Sequence, residues 1–354
     1  MSLMFRRNVK NGNYAYTVAR VKAKKSLLLK EEDYSKMMMM TVPEISRYIS
    51  EVGYNKEMTD LAGRLSGINL LEHATYENMA KVFSTILAAS EGELYGMVQA
   101  YLTKWDIWNI KVILRGKSYG LDVDGIKEDL VPAGSISAES LDKLIALDSN
   151  DDVITNFARM AHVSISQEVL SAYKASGNLG EIEDFLDKFH YERLVESIEP
   201  STRPVRLFLD YIKKEIDVKN FETILKLKFE GIFGEAVVKY MIPGGKHIDS
   251  KLALQMANAE TIEALFSEIS ELGFYEDIKD SFDLKDNTLR GVVAGLKKYE
   301  IEQARKFSRL YPLSVIPVID YMIHKEIEVN NIRAVARGID SGLDRETVRG
   351  LLVI

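Results

Sequence analysis

The chain has 354 residues, of which 46% are apolar and 28% charged, with a formal net charge of −7, 7 Pro, 22 Gly and no Cys. That balance describes a globular, helix-favouring chain rather than a disordered one. The missing cysteines exclude disulfides, thiolate metal sites and cysteine nucleophiles, the acidic balance argues against a protein that lives by phosphate contacts, and no run of 18 apolar residues suggests a transmembrane helix.

The opening, Met1–Lys10, is polar and lacks the apolar segment of a secretory signal. A helix is expected next, carrying Tyr14, Ala19, Val21 and Leu27–Leu29. Its basic string Arg20, Lys22, Lys24 and Lys25 reads either as a solvated face or as a contact for an acidic partner. Met37–Met40, just before Thr41-Val42-Pro43, reads as flexible core filler or, failing that, as an adaptable partner surface. Further on, helices are expected over Glu139–Leu147, Asp151–Ala161, Glu181–Ser197, Leu252–Ala257, Thr261–Leu272 and Leu289–Leu310. Turn signals separate them at Ser176-Gly177-Asn178, Pro200-Ser201 and Pro243-Gly244-Gly245. No alternating pattern is long enough to build a sheet, so the expected fold class is all-α.

An internal repeat organises the sequence. Asp106-Ile107-Trp108-Asn109-Ile110 resembles Asp217-Val218-Lys219-Asn220-Phe221 and Glu328-Val329-Asn330-Asn331-Ile332, each copy 111 residues after the last. The register continues without gaps through Arg115, Lys226 and Arg337 to Gly120, Gly231 and Gly342. Val131-Pro132 and Ile242-Pro243 follow at the same spacing, and the third copy stops at Val353-Ile354 where the proline would fall. Tyr34–Val52 resembles Ser140–Phe157 and Leu252–Ile269 more loosely. Apolar residues at 107, 110, 113 and 114, and at their counterparts, form one stripe of a helix at about 100° per residue. The glycine after each stripe suits a left-handed helix stop. A unit this long exceeds solenoid repeats, which predicts three similar helical domains, 1–105, 106–216 and 217–354.

The acidic residue of each copy lies within the apolar stripe with an asparagine at its edge. Asp106 with Asn109, Asp217 with Asn220 and Glu328 with Asn331 are therefore candidate structural anchors, since a buried carboxylate needs partners. A catalytic role is disfavoured because three copies would make three equivalent, separated sites. Gly116-Lys117-Ser118 has the tail of a phosphate loop, but Lys111 stands where its first glycine belongs. The five histidines show no metal-ligand spacing. Trp105 and Trp108, on either side of Asp106, read as packing between helices. No cofactor is expected.

Specific stretches resemble the C-type stalk component of archaeal A-type ATP synthases, a family related to the d component of the vacuolar proton pump. They are Tyr14-Ala15-Tyr16…Ala19-Arg20-Val21-Lys22-Ala23, the segment Asn109-Ile110-Lys111…Arg115-Gly116-Lys117 with Leu130-Val131-Pro132-Ala133-Gly134, and Asn331-Ile332-Arg333…Ala336-Arg337-Gly338…Gly342-Leu343. Asp344 and Ile339 depart from the family pattern, which favours proline and lysine there. The resemblance implies a funnel of three domains about a pseudo-threefold axis, with no active site. It further implies a wide end that seats the rotor shaft, made of the D and F subunits, and a closed end on the cytoplasmic face of the membrane proteolipid ring. A helical adaptor scaffold in another complex would share the repeat but not the C-terminal signature.

Overall fold

The computed structural model describes residues 11–196, 198–270, 275–276 and 289–354. Among these, every regular element is helical. The expectation for Met1–Lys10, and the last residues of two expected helices (Ser197, and Glu271 with Leu272), lie outside the described residues.

Beyond the first eleven residues the chain divides into two compact units, one of Gly12–Leu179 with Tyr321–Ile354 and one of Gly180–Asp320. The first begins with α1 (Tyr14–Lys25), α2 (Glu31–Met37), α3 (Val42–Ile49), a π-helical turn over Ser50–Tyr54, and α4 (Asn55–Leu61). It continues through α5 (Gly67–Ala89), α6 (Gly92–Leu102), α7 (Lys104–Ser118), α8 (Val123–Lys127), α9 (Ala138–Ile145), α10 (Asn150–Ala161) and α11 (Gln167–Ser176). Thr17, Val18 and Val21 turn the buried face of α1 inward, and Asn13 and Thr17 donate to the Ala89 carbonyl at the end of α5. Ile45, Leu71, Phe83, Leu94 and Ile110 are fully buried, each contributing about 1.5–3 kcal/mol of burial free energy.

The second unit holds α12 (Gly180–Glu196), α13 (Arg203–Phe229), α14 (Glu235–Val238), α15 (Ser250–Asn258), α16 (Ile262–Glu268) and α17 (Leu289–Leu310). Phe221, Ile224, Met256, Leu265 and Tyr299 meet in its core. The helix α18 (Ile316–Asp340) crosses the boundary of the division at residue 320, and α19 (Arg345–Arg349) follows it. The expected boundaries at 106 and 217 fall inside α7 and α13.

Each recurring apolar stripe lies on a helix, α7, α13 or α18. Each ends at a glycine in the left-handed region, with φ of 70° at Gly120, 78° at Gly231 and 70° at Gly342. The next amide reaches back five residues in all three, Leu121 to Gly116, Ile232 to Leu227 and Leu343 to Gly338, which is a Schellman stop. In the first copy a break at Thr103 separates α6 from α7, whereas α13 and α18 run on through the equivalent position.

Three expectations need correction. Met39 is 63% exposed, whereas Met37, the last residue of α2, and Met38, its C-cap, are buried. Leu27 also lies outside its helix and is exposed. Trp108 is 40% exposed and donates Nε1 to the Asp129 carbonyl, whereas the buried Trp105 packs on Phe83.

Candidate functional site

The repeated asparagines make the same clamp three times. Asn109 Nδ2 donates to the Val131 carbonyl at 2.8 Å and Oδ1 accepts from the Val131 amide at 2.7 Å. Asn220 does the same to Ile242, at 2.8 Å in both directions. Asn331 does it to Val353, at 2.8 and 3.0 Å. Every clamped residue lies 22 positions after its asparagine. A carboxamide suits this task because it alone offers a donor and an acceptor side by side, matching one backbone C=O and N–H. Val131 and Ile242 precede prolines, so the clamp satisfies backbone groups that no helix or strand takes up.

The acidic anchors bind backbone amides. Asp106 accepts from the Ser135 amide and hydroxyl at 2.9 and 2.7 Å, and from the Ile136 amide at 2.9 Å. Asp217 accepts from the His247 amide at 2.9 Å and the Ile248 amide at 3.0 Å. Burial pushes the Asp217 carboxyl above its ordinary range, and these amides only partly offset that. The loops approach closely enough to require glycine. A Cβ at Gly134 would stand on Asp106 Oδ1, and one at Gly245 on Asp217 Oδ1.

Glu328 differs in its partners. Its Oε2 accepts from the Leu29 amide at 2.7 Å, and its Oε1 from the Tyr54 hydroxyl and Lys325 Nζ, each at 2.6 Å. Lys325 also donates to the Tyr54 oxygen at 2.8 Å and sits 4.2 Å from the centre of that ring. Burial lowers the Lys325 ammonium and raises the Tyr54 phenol well above its usual range, with the Glu328 charge supporting the lysine and reinforcing the shift of the phenol. The carboxylate therefore faces one cation and two further donors, which compensates its desolvation.

Two lysines add a further recurring contact. Lys117 donates to the Ile145 and Leu147 carbonyls at the end of α9, and Lys228, 111 residues on, donates to the Ala259 carbonyl at the end of α15. Ile339 occupies the third position and can donate nothing. Asp344 caps α19 by accepting from the Thr347 amide, as Asp122 caps α8 through the Gly125 amide.

The basic string is split. Arg20 and Lys22 lie exposed on α1, with Arg20 donating to the Tyr16 hydroxyl, while Lys24 and Lys25 are half-buried. A cluster that the repeat pattern did not single out joins α18 to α5: Arg337 pairs with the buried Glu72, and Arg333 pairs with Asp129 at 2.6 Å over the Tyr76 ring. No sequence signal connects Glu72 to Arg337 across 265 residues.

Among the described residues no group of three His, Asp or Glu side chains is placed to hold a metal ion, and no helix is long and apolar enough to cross a membrane. Three curated proteins, each named as the C component of an A-type ATP synthase, resemble the chain along almost its whole length. That of Methanococcoides burtonii is 35% identical over 348 residues, covering 97% of this chain and 95% of the relative. That of Methanosarcina acetivorans is 34% identical over 346 residues, 97% and 93%, and that of Archaeoglobus fulgidus 33% identical over 341 residues, 96% of each. Residues 17–351 match the family described as ATP synthase (C/AC39) subunit, and with relatives above 30% identity over both full lengths the chain belongs to that family.

Proposed function

We propose that the chain is a non-catalytic central-stalk component of an A/V-type rotary ATPase, joining the rotor shaft of D and F subunits to the membrane proteolipid ring from the cytoplasmic face. The observation that carries this reading is the threefold recurrence of one buried anchor in a member of the ATP synthase (C/AC39) subunit family. It supports an internal triplication, and with it three similar helical units disposed as a funnel about a pseudo-threefold axis. At the recurring position the carboxylates are occupied in holding backbone amides.

The physical logic is mechanical. A part that passes torque from ring to shaft needs stiffness, and close-packed helices with clamped loops resist deformation. Its contact surfaces need to hold under load yet assemble, which suits polar and charged rims around a shape-complementary socket. Arg20 and Lys22, exposed on α1, are the basic residues offered to an acidic partner.

Affinity capture of the tagged chain from native membranes tests the reading, with its companions identified by mass spectrometry. Shaft and proteolipid together are the expected companions. Capture of a complex lacking both would overturn it. An experimental structure in which the three units do not superpose would separately remove the triplication.

A further inference from the structure

We infer that residues 29–54 are the second half of the third repeat, delivered from the opposite end of the chain, and that Glu328 with Leu29, Tyr54 and Lys325 is the non-covalent latch that completes it. This rests on the triplication proposed above. The equivalence is visible position by position. The amide held by Asp106 belongs to Ile136, and the next residue, Ser137, is the N-cap of α9. The amide held by Asp217 belongs to Ile248, and Asp249 is the N-cap of α15. The amide held by Glu328 belongs to Leu29, and Lys30 is the N-cap of α2. A second helix follows in each case, α10 from the N-cap Ser149, α16 from Thr261 and α3 from Thr41.

What differs is the connection. In the first two copies the clamped residue, Val131 or Ile242, leads within a few residues along the chain to the amide that the carboxylate holds. In the third, the clamped residue is Val353, and the held amide lies 299 positions before the carboxylate at Leu29. Closing a loop about ten times longer lowers the effective concentration of the two ends by roughly thirtyfold on the three-halves power of length. The third carboxylate takes two side-chain donors, Tyr54 and Lys325, on one oxygen. Glutamate replaces aspartate and reaches further, and Arg349 on α19 pairs with Glu31 on α2 at 2.6 Å, as Lys127 on α8 pairs with Asp142 on α9 at 2.8 Å. The docking of 29–54 therefore depends on the latch rather than on a short connection along the chain.

Hydrogen exchange read by mass spectrometry tests this on the full chain. Glu328→Gln is expected to speed exchange across 29–54 by roughly 10–100-fold, the loss of a charge-assisted bond, while Asp106→Asn and Asp217→Asn speed it only across 135–161 and 247–269. Because the chain has no cysteine, Glu31→Cys with Arg349→Cys can be bridged by a short bismaleimide, and the bridge is expected to restore protection of 29–54 in the Glu328→Gln chain. Unchanged exchange at 29–54 in Glu328→Gln, or loosening of α18 that the bridge does not restore, would overturn the latch while leaving the triplication standing. Opening of 29–54 with no response to either aspartate variant would overturn the equivalence through the triplication itself.

Discussion

Replacing Asn109 by alanine removes the two bonds to Val131, 2.8 and 2.7 Å long, from a position with no solvent exposure. The partners are backbone groups and cannot be removed with the side chain, so the buried Val131 N–H is left without a partner, while the Val131 carbonyl keeps the bond it accepts from the Ala133 amide at 2.7 Å. At about 1–3 kcal/mol for the orphaned N–H and about 0.5–1.5 kcal/mol for the second lost bond, the total cost is about 2–4 kcal/mol. For a unit of this size about 2–4 °C is lost per kcal/mol, so the first unit should melt roughly 5–15 °C lower. Thermal unfolding by circular dichroism measures the shift, and exchange at the Val131 amide localises it. Asn331→Ala is the internal control. It makes the same two bonds, but to the half-buried Val353, whose backbone water can reach in place of the side chain. Its cost should be about 1 kcal/mol or less. Equal losses for the two variants, or an Asn109→Ala chain within about 0.5 kcal/mol of the parent, would refute the argument that the orphaned backbone N–H sets the magnitude.

Two further outcomes follow from the second copy. Gly245→Ala places a methyl on the Asp217 carboxylate and should cost about 1–3 kcal/mol, measured as a lower urea midpoint; a midpoint within error of the parent would mean that the loop yields freely. Burial holds the Asp217 carboxyl above its ordinary value of 3.8. Just above that pH the folded chain keeps a proton that the unfolded chain has lost, so the group's contribution to stability falls as pH rises through the window between the two values and is level beyond it. Asp217→Asn has no such proton. The stability difference, parent minus variant, should therefore shrink as pH rises from 3.8; a difference that grows over that range would refute the assignment.

Periodicity and punctuation were legible in the residues themselves. The stripe at 107, 110, 113 and 114 and its counterparts lies on α7, α13 and α18, and Gly120, Gly231 and Gly342 stop them with positive φ, because local backbone preference and the 3.6-residue turn are properties of neighbouring residues. The anchors were legible as residue types that needed partners, but not as to which partners. Desolvation says that a buried Asp217 must be satisfied, and nothing in composition says that the His247 and Ile248 amides do it.

The all-helical class and the 111-residue register could be read from the sequence alone, since each rests on interactions a few residues apart or on the repetition of a pattern. Only the tertiary structure decided that Met39 and Trp108 face solvent, that Glu72 pairs with Arg337, and that Glu328 closes on Leu29 and Tyr54. The reason is common to all three. Burial and long-range pairing depend on which surfaces meet when distant segments pack, and at a separation of 299 residues the chain carries no local signal of that encounter.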